Sequence, residues 1–234
     1  METHLQQQLE DLKSALLRMA ALVEEQIARS ITAMMERDVE LCDQVIRGDQ
    51  PIDAMELEID DQCIRLLALQ HPIARDLRFV AASMKITIDL ERLGDIAVNI
   101  AKKTKRLVGM PLLNPIVDIP RMAEISQSMV KDSLNAFVRG DEQLAVDVCE
   151  RDEAVNQLQD QVFQHLVTAM VEDSATVPQA LQLIFISRHV ERLADHATNI
   201  AEGVVYFSEG RVIKHHGNDD PNQPPNRPVS GGPG

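Results

Sequence analysis

The sequence predicts an all-α protein made of two tandem three-helix bundles related by an internal repeat. Its long segments are rich in Leu, Ala, Glu, Gln, Arg and Met, which favour helices. Residues 91–101 and 191–201 are identical at eight of 11 positions. Six prolines stand at the breaks between the segments: Pro51, Pro72, Pro111, Pro115, Pro120 and Pro178.

The predicted helices follow from these breaks and from the spacing of apolar residues. They cover 3–36, 38–70 (with a break near Gly48–Pro51), 73–108, 120–139, 141–172 and 178–209. We therefore expect a first three-helix repeat at 1–108, a linker at 109–119 and a second repeat at 120–213. The remaining segment, 214–234, holds five of the 11 prolines and four of the 10 glycines. We expect this tail to be disordered.

A second, weaker match supports the duplication. Residues 38–59 match residues 141–162 at an offset of 103, and this match falls in the same order in both halves as the stronger one. The matched positions include Asp38, Leu41, Val45 and Asp49 with Asp141, Leu144, Val148 and Asp152. Because the internal loops are short, each unit should be an antiparallel bundle.

Composition excludes several functional classes. The formal net charge is −14, with 23 Lys and Arg against 37 Asp and Glu, which argues against binding to nucleic acid. Three cysteines without a C-x-x-C spacing argue against a disulfide framework and favour a cytoplasmic protein. No apolar run is long enough to span a membrane, so membrane contact should be peripheral at most. The sequence has no recognisable nucleophile–base pair and no phosphate-binding glycine loop, so we do not expect an enzyme.

The strongest match contains acidic side chains on one helix face. Glu91 and Asp95 are four residues apart and therefore lie one turn apart, on the side away from the apolar stripe. Such a pair repels itself and gains nothing unless a cation lies between the two carboxylates. The same arrangement, each time followed by an asparagine, recurs in the second unit: Glu91, Asp95 and Asn99 match Glu191, Asp195 and Asn199. A merely solvated acidic face is the alternative.

The preceding helix of each unit adds oxygen ligands. Asp49 and Asp53 have the same spacing, and their counterparts are Asp152 and Asn156. Asp49 and Asp152 are also candidate helix N-caps. Antiparallel packing would bring these side chains beside the acidic faces and form two clusters of hard oxygen ligands. Such clusters suit Mg²⁺, Mn²⁺, Ca²⁺ or ferric iron.

Basic and imidazole side chains near these motifs have simpler interpretations. We expect Arg92 and Arg192 to pair with the neighbouring carboxylates. For His189 and His196 we expect packing against other helices or roles on the helix surface. Lys102 and Lys103 suit the end of a helix, where cations complement the dipole, and are also candidate contacts for an anionic partner.

The chain resembles the PhoU family over nearly its whole predicted folded length. The residues that carry the resemblance are Leu90–Ala101, its twin Val190–Ala201, and the segment Leu69–Arg78, which reads Leu-Gln-His-Pro-Ile-Ala-Arg-Asp-Leu-Arg. The resemblance implies two three-helix bundles that bind metal clusters through E(D)-x-x-x-D motifs. It adds Arg75 and Arg78, within the third segment, to the candidate partner contacts.

The resemblance also implies a function. It predicts a cytoplasmic homodimer that couples the ATPase subunit of a phosphate ABC transporter to a sensor histidine kinase and represses the phosphate-starvation regulon. The implied metal is Mg, Mn or Fe. The implied metal ligands are Asp49, Asp53, Glu91, Asp95, Asp152, Glu191 and Asp195, with Asn99, Asn156 and Asn199 as additional or outer ligands. Asn156 departs from the family by replacing an acid, which predicts that the second site binds more weakly than the first or holds a metal of lower charge.

Two alternatives remain: a carboxylate-bridged dimetal oxidoreductase, or a metal-storage or structural bundle. The oxidoreductase class uses Glu-x-x-His pairs that face the core. No Glu stands three residues before any of the seven histidines. A storage or structural bundle would bind metal weakly and at less than one ion per site.

Overall fold

The computed structural model of the chain describes residues 4–111, 113 and 118–209, except for the side chains of 207–209. Within these ranges it contains helices and no β-strand, which confirms the all-α prediction, and none of the helices is long and apolar enough to cross a membrane. The predicted tail 214–234 lies outside the described residues. The helices are α1 (His4–Glu36), α2 (Val39–Arg47), α3 (Gln50–Gln70), α4 (Ala74–Val108), α5 (Ile119–Arg139), α6 (Glu142–Glu172), a 3₁₀ turn (Ser174–Thr176) and α7 (Val177–Glu209).

The internal repeat is visible in how the helices begin. The backbone N–H of Leu41 donates to Asp38 Oδ1 at 3.0 Å, and that of Leu144 donates to Asp141 Oδ1 at 3.1 Å. These matched caps start α2 and α6. The first unit departs from the second after its cap, because a break at Gly48 divides α2 from α3 where α6 is continuous.

Helices α4 and α7 form the centre of the molecule. Each packs against the other helices of its own unit, and the two also pack against each other. The two helices run antiparallel, because a residue early in α4 contacts one late in α7 and the reverse. The Lys85 ammonium lies 5.7 Å from the centre of the Tyr206 ring, and the Lys103 ammonium lies 4.2 Å from the centre of the Phe185 ring. We call this contact the α4/α7 seam. It joins the two units through one continuous apolar core.

Arg37 fixes the end of α4. It follows α1 with a left-handed backbone, φ 55°, which turns the chain toward α2. Its Nη2 donates to the carbonyl oxygens of Leu107, Val108 and Met110 at 2.6, 2.9 and 2.7 Å. Carbonyls at the end of a helix lack the N–H partners of the next turn, although Leu107 O also accepts from the backbone N–H of Met110 at 3.0 Å. A cation also complements the helix dipole at this end. Arg37 therefore ties the end of α1 to the end of α4.

All three cysteines are buried free thiols. Cys42 and Cys63 have no exposed surface, and 4% of Cys149 is exposed. Burial raises the pKa of Cys63 to about 12 and that of Cys149 to about 11, and it also raises the pKa of Cys42. Since the thiolate is the reactive form, these side chains act as small apolar residues of the core.

Candidate metal centres

The first acidic cluster lies where α3 and α4 approach each other closely. Asp49 immediately precedes α3, Asp53 lies in its first turn, and Glu91 and Asp95 lie on α4. Gly94 permits the approach, because a Cβ added there would lie 3.2 Å from Ile52 Cδ1 and 3.5 Å from Asp49 Oδ1. The antiparallel packing thus brings the two pairs of carboxylates together beside one helix contact.

The carboxylates of this cluster repel one another. Burial raises the pKa of Asp49, and the negative charges of Asp53 and Asp95 raise it further. Burial likewise raises the pKa of Glu91, followed by the charge of Asp95. Arg92 partly balances the charge, with Nε 3.4 Å from Glu91 Oε2 and Nη1 3.5 Å from Asp95 Oδ2. The expected pairing of Arg92 is therefore confirmed.

The second cluster joins α6 to α7. Burial, then the charges of Asp195 and Asp152, raise the pKa of Glu191 to about 7. Desolvation and Asp152 also raise the pKa of Asp195. Asn156, which stands in the place of an acid, donates from Nδ2 to Asp152 Oδ2 at 3.0 Å. The amide thus holds one oxygen of a carboxylate that the sequence predicted as a ligand.

Helix capping does not account for these acids. Asp49 accepts no capping hydrogen bond from the first turn of α3. Asp152 lies in the interior of α6, ten residues after the helix begins at Glu142. The caps of the two units are instead Asp38 and Asp141. The capping alternative is therefore wrong for Asp152, whereas Asp49 stands at the N-cap position of α3 without a side-chain capping bond.

The donor chemistry of both clusters suits a hard cation, but the side chains are not arranged as a finished site. Within the described ranges, no three or more His, Cys, Asp or Glu side chains are grouped so that they could hold a metal ion. Carboxylates without a cation between them turn apart because like charges repel. A metal would have to draw the carboxylates together by rotating their side chains.

The remaining predicted residues have different environments. Asn99 is half-buried, whereas Asn199 faces the α4/α7 seam and donates to Asp89 Oδ1 at 3.3 Å. Lys102 lies near enough to Asp49 to lower its pKa. Lys103 covers the Phe185 ring. Of the other predicted partner contacts, Arg75 is exposed and Arg78 is half-exposed near the start of α4.

Two features of the clusters and the seam were not foreseen from the sequence. Glu56 approaches the first cluster closely enough to raise the pKa of Glu91. Its position three residues after Asp53, on the same helix side, was the available signal.

At the seam, His196 Nδ1 lies 2.8 Å from Asp89 Oδ1. His196 replaces Ile96 of the first repeat, and this departure from the repeat was its signal. The expected packing of His196 against another helix is confirmed.

Comparisons with known proteins agree with the repeat and the fold. The family model described as the PhoU domain matches residues 16–104 and 119–204. A phosphate-specific transport system accessory protein PhoU homolog of Aquifex aeolicus is 43% identical, covering 89% of this chain and 94% of that protein.

Two crystal structures share the fold. The structure of PhoU from Pseudomonas aeruginosa has a TM-score of 0.84 and 37% identity, covering 87% of this chain and 98% of that one. The phosphate transport system regulatory protein PhoU from Streptococcus pneumoniae also has a TM-score of 0.84, at 30% identity, covering 90% of this chain and 100% of that one. The two matched domains, the identity and the shared fold establish that the chain belongs to the PhoU family.

Proposed function

We propose that this protein is a regulatory accessory protein of phosphate-specific transport. The observation that carries this proposal is similarity over nearly the full length of relatives that are named for that role. In this role the protein represses the phosphate-starvation regulon while phosphate is plentiful. It does so without catalysis, by binding the ATPase subunit of the phosphate transporter and the sensor histidine kinase from the cytoplasmic side, as a homodimer.

Metal binding is part of the same proposal. Asp49, Asp53, Glu91 and Asp95 would hold one centre, and Asp152, Glu191 and Asp195 the other. Burial, and after it repulsion between the carboxylates, raises the pKa values of Asp49, Glu91, Glu191 and Asp195. These shifts support metal binding, because a cation would stabilise the charged form that burial and repulsion disfavour. Hard oxygen donors favour Mg²⁺, Mn²⁺ or iron. A bound ion would order the acidic surface and set the geometry in which partners dock.

The regulatory role is tested in cells that grow with ample phosphate. Alkaline phosphatase activity should be low with the protein and high in its absence, and a plasmid copy should restore repression. Unchanged low activity on deletion, in a strain without a second family member, would contradict the proposed repression.

The metal role is tested on the purified protein. Replacing Glu91, Asp95, Glu191 and Asp195 by alanine should remove the bound metal that elemental analysis detects after equilibration with Mn²⁺ or iron. The matched control replaces four acids that are exposed outside the clusters: Glu58, Asp61, Glu150 and Glu153. Unchanged metal stoichiometry in the cluster variant would refute metal binding at these carboxylates. The proposed regulatory role would still stand, because its test does not measure metal.

A further inference from the structure

Large apolar side chains are exposed in one region of the first unit. Of the thirteen such side chains among the described residues, six lie between Leu57 and Ile88. Two of them belong to α3, where Leu57 is 69% and Ile64 is 51% exposed. Two belong to α4, where Leu77 is 44% and Ile88 is 52% exposed. The folded chain therefore leaves substantial apolar area in water beside one helix pair.

These four residues share one outward surface. Leu57 and Ile64 are seven residues apart, two turns along α3, and Leu77 and Ile88 are eleven residues apart, three turns along α4. On each helix they lie on the same side as the acidic residues, so they continue the surface that begins at Asp53 and Asp95. We call Leu57, Ile64, Leu77 and Ile88 the α3/α4 apolar face.

The second unit repeats only half of this face, since Ile64 corresponds to Val167 and Leu77 corresponds to Val177. At the repeat offsets, Leu57 corresponds to Asp160 and Ile88 corresponds to Arg188. Both are exposed on the surface of α6 and α7. At the positions of Leu57 and Ile88, the two copies of one helix pair thus keep the same fold with an apolar pair in one and two opposite charges in the other. Folding does not require the apolar pair, which suggests that it serves an interaction.

The surroundings of the apolar face are acidic. Helix α3 carries Glu56, Glu58, Asp60 and Asp61 around Leu57 and Ile64, and Arg65 pairs with Asp61 at 2.8 Å. Helix α4 adds the basic residues Arg78, Lys85 and Arg92, of which Lys85 lies over the Tyr206 ring and Arg92 pairs with Glu91 and Asp95. The acidic residues outnumber the basic ones, so the net charge around the face is negative. A second copy of the chain, placed symmetrically on this face, would bring together two surfaces of the same net negative charge. An anionic membrane surface would be repelled by the same charges. Charge complementarity instead favours a basic partner.

We propose that the α3/α4 apolar face docks an amphipathic helix of a partner protein, whose apolar stripe is flanked by Lys and Arg. Apolar side chains spaced by three and four residues would cover Leu57, Ile64 and Ile88, while the basic flanks would meet the carboxylates of α3. This inference does not rest on metal binding, because none of the four apolar residues offers a metal ligand.

The test uses a labelled amphipathic peptide of about 18 residues, with leucine on one face and lysine on the flanks, and fluorescence anisotropy with the full-length protein. Two control peptides are a scrambled sequence of the same composition and a version with glutamate in place of lysine. The test variant, Leu57→Asp with Ile88→Arg, copies the residues of the second unit. The control variant, Val171→Asp, adds a charge at an apolar side chain that is 81% exposed on α6. Thermal melts establish that both variants fold.

We expect the double variant to weaken peptide binding at least about tenfold and Val171→Asp to leave it nearly unchanged, with and without EDTA. Equal binding to the double variant, equal binding of either control peptide, or no binding by the native chain would overturn the proposal. So would light scattering in which the double substitution converts a native dimer to a monomer, because a second copy would then cover the face. Tighter binding to anionic vesicles than to the peptide would assign the face to membranes instead.

Discussion

Replacing Glu191 by glutamine removes a carboxyl whose pKa is raised to about 7 from its ordinary value of 4.5 by burial and by Asp195 and Asp152. Between these two pH values the folded chain binds more protons at this site than the unfolded chain does. The free energy of unfolding therefore falls as the pH rises through this window. Glutamine cannot ionise, so the variant escapes this loss and should be the more stable protein above about pH 7.

The size of the effect follows from the pKa shift. A shift from 4.5 to about 7 corresponds to about 3 kcal/mol if it is fully expressed. Because water still reaches part of the half-buried side chain, we expect Glu191→Gln to stabilise the metal-free protein by about 1 to 2 kcal/mol at about pH 8, relative to its effect at about pH 4.

Urea unfolding in EDTA, followed by circular dichroism at both pH values, measures this difference. Glu150→Gln, at an exposed position of α6, is the matched control for replacing a carboxylate by an amide. A gain for Glu191→Gln that is equal at both pH values, or larger at the acidic one, would refute the reasoning.

Three further predictions concern the ends of helices and the clusters. Arg37→Ala should lower the free energy of unfolding by about 2 kcal/mol, because three charge-assisted hydrogen bonds to the α4 end are lost. Arg18→Ala, at an exposed site of α1, should change it little, and urea titration distinguishes the two. Asn156→Asp should lower the free energy of unfolding of the metal-free protein by about 1 kcal/mol, because it replaces the hydrogen-bond donor to Asp152 with a second negative charge. The same substitution should tighten Mn²⁺ binding in calorimetric titration, and weaker Mn²⁺ binding would count against the second centre. Mn²⁺ at about 100 times its dissociation constant should stabilise the native protein by about 2.7 kcal/mol for each centre that it occupies, which raises the melting temperature by about 5 to 10 °C per centre. The variant that lacks Glu91, Asp95, Glu191 and Asp195 should show no rise.

Helix boundaries were predictable because they depend on residues that are close together in the sequence. Prolines and capping acids stand at the breaks, and the observed starts of α4, α5, α6 and α7 lie within one residue of those predicted. The break at Gly48–Pro51 was also foreseen, and it separates α2 from α3. These signals depend on a few neighbouring residues, so no knowledge of the packing was needed.

The acidic clusters were predictable in part. Helical periodicity put Glu91 and Asp95 on one face, and antiparallel packing brought Asp49 and Asp53 beside them. Whether the carboxylates converge on one point depends on side-chain torsions, which the spacing of residues does not determine. The carbonyls held by Arg37 belong to residues about 70 positions away, and such a contact has no local signal.

The buried cysteines make site-specific labelling practical. Maleimides react with thiolates, and the native thiols are shielded from solvent and hold their protons at neutral pH. A cysteine introduced at Leu57 or at Val171 would therefore be the reactive one in an otherwise unaltered chain. A fluorophore at either position would report the binding of a partner or cation to the unit that carries it, while the other unit stays unlabelled. A fluorophore at each of the two positions would measure the distance between the units as partners or cations are added.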